Sequence, residues 1–246
     1  MDGKIAVMSD LHSNKEALDA VLADIRSVGI GRVICLGDLV GYASGVRSTL
    51  NAVRDLECPV VMGNHDFAVV SGSIPEEFND TARAGVRFAM DRLKPDELDW
   101  LRQLPPKVEM DGVTFLHASL ADPREWNYVI DPEDALAHFH RQPARLAFCG
   151  HTHRPAMWWL DPRTDRVGHR HGEGRLELPR TGKVLVDVGS VGQPRDTDPR
   201  ACYVIYHESG ETVEFRRVEY DIKRTKRKIL RAKLPRFSAQ RLSLGR

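Results

Sequence analysis

The chain has 246 residues, 41% hydrophobic and 29% charged, enough apolar material for one generous domain or a domain with an appendage. No apolar run approaches the roughly 18 residues that a membrane span needs, and Met1-Asp2-Gly3-Lys4 leads straight into a short strand without a signal-peptide layout, so a cytoplasmic protein is expected. The net charge of +1 conceals an asymmetry: residues 223–246 carry ten Lys/Arg and no Asp/Glu, which leaves 26 basic and 35 acidic residues, a net of −9, in residues 1–222.

Ile5–Ser9 reads as the first strand. A helix follows, capped by Ser13 or Asn14, with Ala17, Leu18, Val21, Leu22, Ile25 and Val28 on one apolar face and Gly29 and Gly31 as stops. Arg32–Leu36 predicts a strand, Val46–Leu56 a helix and Pro59–Met62 a third strand. This alternation implies parallel pairing, with binding groups at the carboxyl ends of the strands. From Phe67 to Leu104 the pattern is helical, with helices over Asn79–Leu93 and Pro95–Leu104, the latter opening on a helix-compatible proline.

A hairpin is expected over Lys107–Met110 and Val113–Leu116, turning at Asp111-Gly112, and a helix over Pro132–Arg141. Ala156–Leu160, Lys183–Val188, Ala201–Tyr206 and Thr212–Val218 alternate like antiparallel strands, and the polar stretch 161–182 reads as a long hairpin arm or loop. The tail carries a helix over Ile222–Leu234, ended by Pro235, after which Phe237, Leu242 and Leu244 could dock a last short segment. No internal repeat is visible. The reading is an α/β (α+β) fold of two packed sheets with helices outside. A domain over 1–220 carries a helical insert at about 67–104, and 221–246 forms a basic helical tail.

Five strand ends are loaded with chemistry. Val60-Val61-Met62 runs into Gly63-Asn64-His65-Asp66, Ile5–Ser9 into Asp10-Leu11-His12, and Val33–Leu36 into Gly37-Asp38. Val113–Leu116 ends at His117, and Leu146–Cys149 at Gly150-His151-Thr152-His153. Core stability requires none of this. If the backbone stays extended, both side chains of Asp10-x-His12, and of His151-x-His153, fall on one side.

Asp10, His12, Asp38, Asn64, His117, His151 and His153 make seven oxygen and nitrogen donors with no thiolate. Seven exceed what one ion with an open position needs, so two ions sharing a carboxylate, roughly 3.5–4 Å apart, are the economical reading. Cys35, Cys58, Cys149 and Cys202 are scattered, three of them in apolar strand-like runs, and read as buried thiols rather than a disulfide framework or zinc knuckle.

These motifs resemble the calcineurin-like metallophosphoesterases, and Gly189-Ser190-Val191-Gly192-Gln193-Pro194-Arg195 resembles a segment of their small bacterial phosphodiesterase branch. The resemblance implies a β-sandwich flanked by helices in four layers. It also implies one metal on Asp10, His12, Asp38 and His153 and a second on Asp38, Asn64, His117 and His151, with Asp38 bridging. The implied activity is phosphoester hydrolysis, most readily of a diester, by a hydroxide between the two metals. His65 would protonate the leaving oxygen or stabilise the transition state, and Asp66 would orient the His65 ring, although a helix-capping role explains Asp66 almost as well. Mixed imidazole and carboxylate donors suit manganese first, with iron, zinc, cobalt or nickel as alternatives.

Two departures from the pattern bear on substrate. Gly37-Asp38-Leu39-Val40-Gly41-Tyr42 lacks the Arg-Gly that protein phosphatases and symmetrical dinucleoside tetraphosphatases carry there, and Asp66 stands where protein phosphatases have Glu. A small phosphate ester, including a nucleotide, is the expected partner, with homo-oligomerisation open. Arg154 and Arg195 could contact substrate phosphate, and each is equally a structural salt-bridge residue. Trp126, Tyr128 and Tyr42 could line a pocket for a base or aryl group, or sit in the core. His138 and His140 are expected on a surface helix and His169-Arg170-His171 in a polar loop. The basic tail reads as a solvated face or a partner of the acidic body, and a nucleic-acid grip, as in a nuclease, is the less favoured reading. A non-catalytic module keeping the fold is the alternative from another class.

Overall fold

A computed structural model of the protein describes residues 3–122 and 125–246. Met1 and Asp2, where the N-terminal expectation begins, lie outside the described residues. Two sheets stack face to face. One has the order β2 (Arg32–Cys35), β1 (Lys4–Met8), β10 (Ala201–His207), β11 (Thr212–Val218), β8 (Gly174–Glu177). The other has the order β3 (Lys107–Met110), β4 (Val113–Leu116), β5 (Leu146–Cys149), β9 (Lys183–Asp187), β6 (Ala156–Asp161), β7 (Arg166–His171). Both are mixed: β1 and β2 pair in parallel, as do β4–β5 and β5–β9, and the remaining pairs are antiparallel.

Side-chain alternation along each strand sorts residues into layers. Ile5 and Val7 of β1 point between the sheets, where they meet Phe115, Phe148, Val184, Val186 and Val204 in one apolar core. The Phe115 and Phe148 rings stack 5.4 Å apart and nearly parallel. Ala6 and Met8 point the other way, onto α1 (Lys15–Ser27), α2 (Val46–Arg54), α3 (Asn64–Ser71), α4 (Asp80–Met90) and α5 (Pro95–Arg102). Across the molecule Ala147, Cys149 and Leu185 pack on Ala135 and Phe139 of α6 (Pro132–Arg141). The result is the expected two-sheet sandwich between helical layers. None of the described helices is long and apolar enough to cross a membrane.

Several local expectations need correction. Pro59–Met62 does not form a ladder strand; it makes a single parallel bridge, Cys35 to Val60, before Met62 donates to the Pro105 carbonyl. The chain then turns at once into α3, so Asn64, His65 and Asp66 stand on the first turn of a helix and not at a strand end. The 161–182 stretch begins as the expected hairpin arm, β7 pairing antiparallel with β6, but β8 then pairs with β11 in the other sheet, so the segment crosses between sheets, with Leu176 and Leu178 entering the core. His169 to His171 therefore lie on a strand. β9, expected antiparallel, is parallel to β5 and antiparallel to β6. His138 is fully buried, held between the Leu120 amide and Gln142. All four cysteines are free, three of them buried.

Asn14, rather than Ser13, caps α1, its side chain accepting from the Ala17 amide. In the tail, α7 (Ile222–Arg231) and the short α8 (Arg236–Arg241) fold back onto the body. Thr225 donates to Asn14 Oδ1 at 3.1 Å, and Arg224 and Lys228 both pair with Glu16. Ile229, Leu234, Ala239 and Leu242 pack on Ala43, whereas Phe237 and Leu244 stay exposed.

Candidate metal centre

The seven donors converge on one buried point where the carboxyl ends of β1, β2, β4 and β5 meet the start of α3. Extended backbone does not bring them together. Asp10, His12, Asp38, His151 and His153 all have positive φ, between 45° and 70°. Alternate residues of an extended strand stand nearly 7 Å apart, too far for adjacent donors on one ion. The left-handed turns fold them inward, a local strain of the kind that surrounding structure must hold in place.

Close backbone approach does the holding. One carboxylate oxygen of Asp10 accepts from the His151 amide at 2.9 Å, and one of Asp38 from the His65 amide, at the N-terminus of α3, at 2.8 Å. A Cβ on Gly63 would lie 2.1 Å from Asp38 Oδ1 and 2.3 Å from its backbone nitrogen, so only glycine permits this approach.

The imidazole tautomers decide what the centre can hold. His12 Nδ1 lies 3.0 Å from the Val40 carbonyl, His117 Nδ1 2.7 Å from that of Leu36, and His153 Nδ1 2.6 Å from that of Gln193. A carbonyl only accepts, so each Nδ1 carries a proton and each ring turns its Nε2 inward, bare where the ring is neutral. Burial pushes His12 and His151 well below the ordinary histidine range and His153 down to about 4, so these rings are neutral at pH 7.

The inward nitrogens then crowd other acceptors, and His117 Nε2 also stands 3.2 Å from His151 Nδ1. His12 Nε2 is 3.1 Å from His153 Nε2, His153 Nε2 is 3.1 Å from Asp10 Oδ1, and His117 Nε2 is 3.2 Å from Asn64 Oδ1. Asp10 Oδ1 is buried with no hydrogen-bond donor. Burial and the charge of Asp10 push Asp38 well above the usual carboxylate range. Lone pairs this close are repulsive alone and are satisfied together by a cation. Asp10, His12 and His153 form one donor triad, Asp38, His117 and His151 another, and His12, Asp38 and His65 a third, with donor atoms within 4.8 Å of one another in each. The residues present fit divalent cations.

Among the remaining candidates, His65 is buried with its Nδ1 unpartnered, its ring 4.8 Å from that of His12 and 4.7 Å from Phe78. Asp66 makes no hydrogen bond to that Nδ1. Its carboxylate accepts from the Leu39, Val40 and Gly63 amides, so it caps α3 and ties the helix to the Asp38 loop. Arg195 reaches the cleft, donating to the Tyr42 hydroxyl at 3.2 Å, whereas Arg154 stands behind it, donating to the Arg195 carbonyl. The cleft over the centre holds about 270 Å³ and is walled by Tyr42, Phe78, Trp126 and Tyr128, so the three aromatic residues of the sequence reading line it. Sequence reasoning missed two supports. Phe78 follows no motif, and Asp187 is a buried carboxylate that accepts from Thr152, between the two histidines of Gly150–His153, at 2.6 Å. Its place at the end of β9 was its only signal.

Residues 4–211 match the calcineurin-like phosphoesterase superfamily domain. The chain belongs to that superfamily. A metallophosphoesterase from Sphaerobacter thermophilus has a similar crystal structure, with a TM-score of 0.87, 34% identity and 99% of each chain covered. An uncharacterised protein of Methanocaldococcus jannaschii is 37% identical over 247 residues, 98% of both chains. A symmetrical bis(5'-nucleosyl)-tetraphosphatase from Janthinobacterium is 32% identical over 120 residues, 46% of this chain and 42% of that protein. Membership of this superfamily indicates a hydrolase acting on phosphate esters, and the donor clusters offer it a metal site.

Proposed function

We propose that the protein is a divalent-metal-dependent phosphodiesterase with two cations in this centre, manganese favoured. The observation that carries the reading is the position of Asp38, whose Oδ2 lies 3.5 Å from Nε2 of both His12 and His117. One carboxylate thus stands between two nitrogen clusters. Asp10, His12, Asp38 and His153 would hold one cation, and Asp38, Asn64, His117 and His151 the other. When bound, such a pair supplies an activated water near neutral pH and neutralises charge on the phosphoryl oxygens.

The chain's own groups do the rest. Burial and the charge of Arg195 keep His65 well below the ordinary range and therefore neutral, so it stabilises charge on the departing oxygen by hydrogen-bond donation from its ring N–H, and the proton that oxygen finally takes up comes from water. Arg195, held by Tyr42 and Gln193, aims a planar donor fork at a phosphoryl oxygen. The aromatic walls favour a substrate with a flat apolar group beside the phosphorus. The partial match to the tetraphosphatase supports a nucleotide as that substrate, although the Arg-Gly after Gly37-Asp38 is missing.

The test is metal-stripped protein assayed with and without manganese on bis-p-nitrophenyl phosphate and p-nitrophenyl phosphate, with Asp38→Asn as control. Manganese-dependent turnover favouring the diester and lost in Asp38→Asn is the expected result. No turnover with any divalent ion would overturn the reading.

A further inference from the structure

The basic tail grips the first turn of α1. Thr225 of α7 is buried, its hydroxyl 3.1 Å from Asn14 Oδ1 and 3.3 Å from Glu16 Oε2. Arg224 and Lys228 flank it and pair with the same Glu16. Asn14 is fully buried, and both ends of its amide are committed. Oδ1 also accepts from the Ala17 amide at 3.2 Å, and Nδ2 donates to the Gly192 carbonyl at 2.8 Å. One side chain therefore joins the tail to the turn at 190–193.

That turn supports the donor cluster from behind. The Gly192 amide donates to the Asp10 carbonyl at 2.8 Å, and the Ser190 hydroxyl donates to the same carbonyl at 2.9 Å. The Gln193 carbonyl accepts from His153 Nδ1 at 2.6 Å. Asp10 and His153 have left-handed backbone, with φ of 55° and 60°, and such backbone persists only where its surroundings over-determine it. The fit leaves no slack, since a Cβ on Gly192 would lie 2.0 Å from the Leu11 carbonyl oxygen. From Thr225 the path to Asp10 runs through Asn14 and Gly192, and every hydrogen bond along it is buried.

We propose that Thr225 and Asn14 are positioning residues of the metal centre, so that docking of α7 and binding of a divalent cation favour each other. Undocking of α7 frees Asn14 and the 190–193 turn to relax, and with them the Asp10 backbone and the His153 ring. A cation on Asp10 and His153 resists that relaxation, and by linkage it holds the tail as firmly as the tail holds it. Thr225 lies outside residues 4–211, so this control belongs to the tail and not to the superfamily domain. The proposal rests on the metal-centre reading and not on the hydrolysis of any ester.

Two measurements on the full-length protein test it. The first is calorimetric titration with manganese of wild type, Thr225→Val, Thr225→Ser and, as a control at an exposed position of α7, Leu230→Ala. Loss of one neutral hydrogen bond, transmitted to the centre, should weaken manganese binding about three- to tenfold in Thr225→Val. Thr225→Ser, which keeps the hydroxyl, and Leu230→Ala should bind as wild type does. The second is amide hydrogen exchange of α7 with and without saturating manganese. The metal should slow exchange by a similar factor in wild type and leave it unchanged in Thr225→Val. Both results in a protein that hydrolyses no ester would uphold the coupling while removing the phosphodiesterase reading. Wild-type manganese affinity in a folded Thr225→Val protein, with α7 exchange indifferent to the metal, would overturn the proposal and leave the tail as a packed appendage. A wild type that binds no manganese would remove the metal-centre reading and the proposal with it.

Discussion

The Nε2 atoms of His12 and His153 face each other at 3.1 Å, and in each ring the other nitrogen already donates its proton to a carbonyl. Two neutral imidazoles cannot hydrogen-bond through those atoms. The contact is unfavourable until something positive lies between them, so the fold should be tied thermodynamically to divalent cations. At manganese one hundred times the dissociation constant, the native state should gain about 2.7 kcal/mol from a single site. Thermal melts with excess manganese and with a chelator read this directly. Superimposable melts would contradict it.

His65→Ala should keep its metal and lose turnover by roughly 10²- to 10³-fold, the range for removing a hydrogen-bond donor to developing charge. Metal content by elemental analysis, set beside kcat on the diester, separates the two effects. A variant of full activity would remove His65 from the chemistry.

Gly63→Ala should damage the centre without touching a donor. The added Cβ meets the backbone of Asp38, which cannot swing aside as a flexible side chain would. Overpacking of this kind costs about 1–3 kcal/mol. The shift it forces on Asp38 should weaken metal affinity as well, and denaturant unfolding with a metal titration measures both. Wild-type stability and affinity would show that the loop yields freely.

Acid should weaken the fold partly through His138. Burial, helped by the charge of Lys183, pulls this ring down to about 4 from an ordinary 6.5, against the hydrogen bond to Gln142, which favours the charged form. Below pH 6.5 the unfolded chain takes up the proton first, so stability present above that pH drains away between about 6.5 and 4. From pH 7.5 to 5.0 the loss from this one group is about 2 kcal/mol. Urea unfolding at the two pH values should show that much less acid sensitivity in His138→Asn, whose amide oxygen can replace Nδ1. Identical sensitivities would assign the acid response to other groups.

The fold was legible wherever periodicity was strong. Ile5, Val7 and their alternates announced strands with two buried faces, and Asn79 or Pro132 announced helix starts within a residue. The donors were legible because their types are costly and unneeded at strand ends. Their convergence was read correctly for the wrong reason: no sequence signal marks left-handed backbone at His12 or His151, where side chains rarely permit it. α3 was hidden because Val60–Met62 looks like any buried strand, and only the packing of Gly63 on Asp38 starts the helix. His138 looked exposed because its partners, Leu120 and Gln142, are polar contacts that no apolar pattern records. Tyr42 and Arg195 are 153 positions apart, and nothing local connects them.

The centre also draws on nearly the whole length of the chain. Asp10 and His12 come from the first strand, while the Gln193 carbonyl that sets the His153 tautomer and the Gly192 amide that holds the Asp10 carbonyl arrive almost two hundred residues later. During synthesis, a ribosome-bound chain ending before that point has the carboxylates and most of the imidazoles but not the geometry. An unfinished chain therefore has no formed centre with which to capture a metal ion. Competence arrives in one step, and a translation product cut short anywhere before Gln193 should be chemically silent.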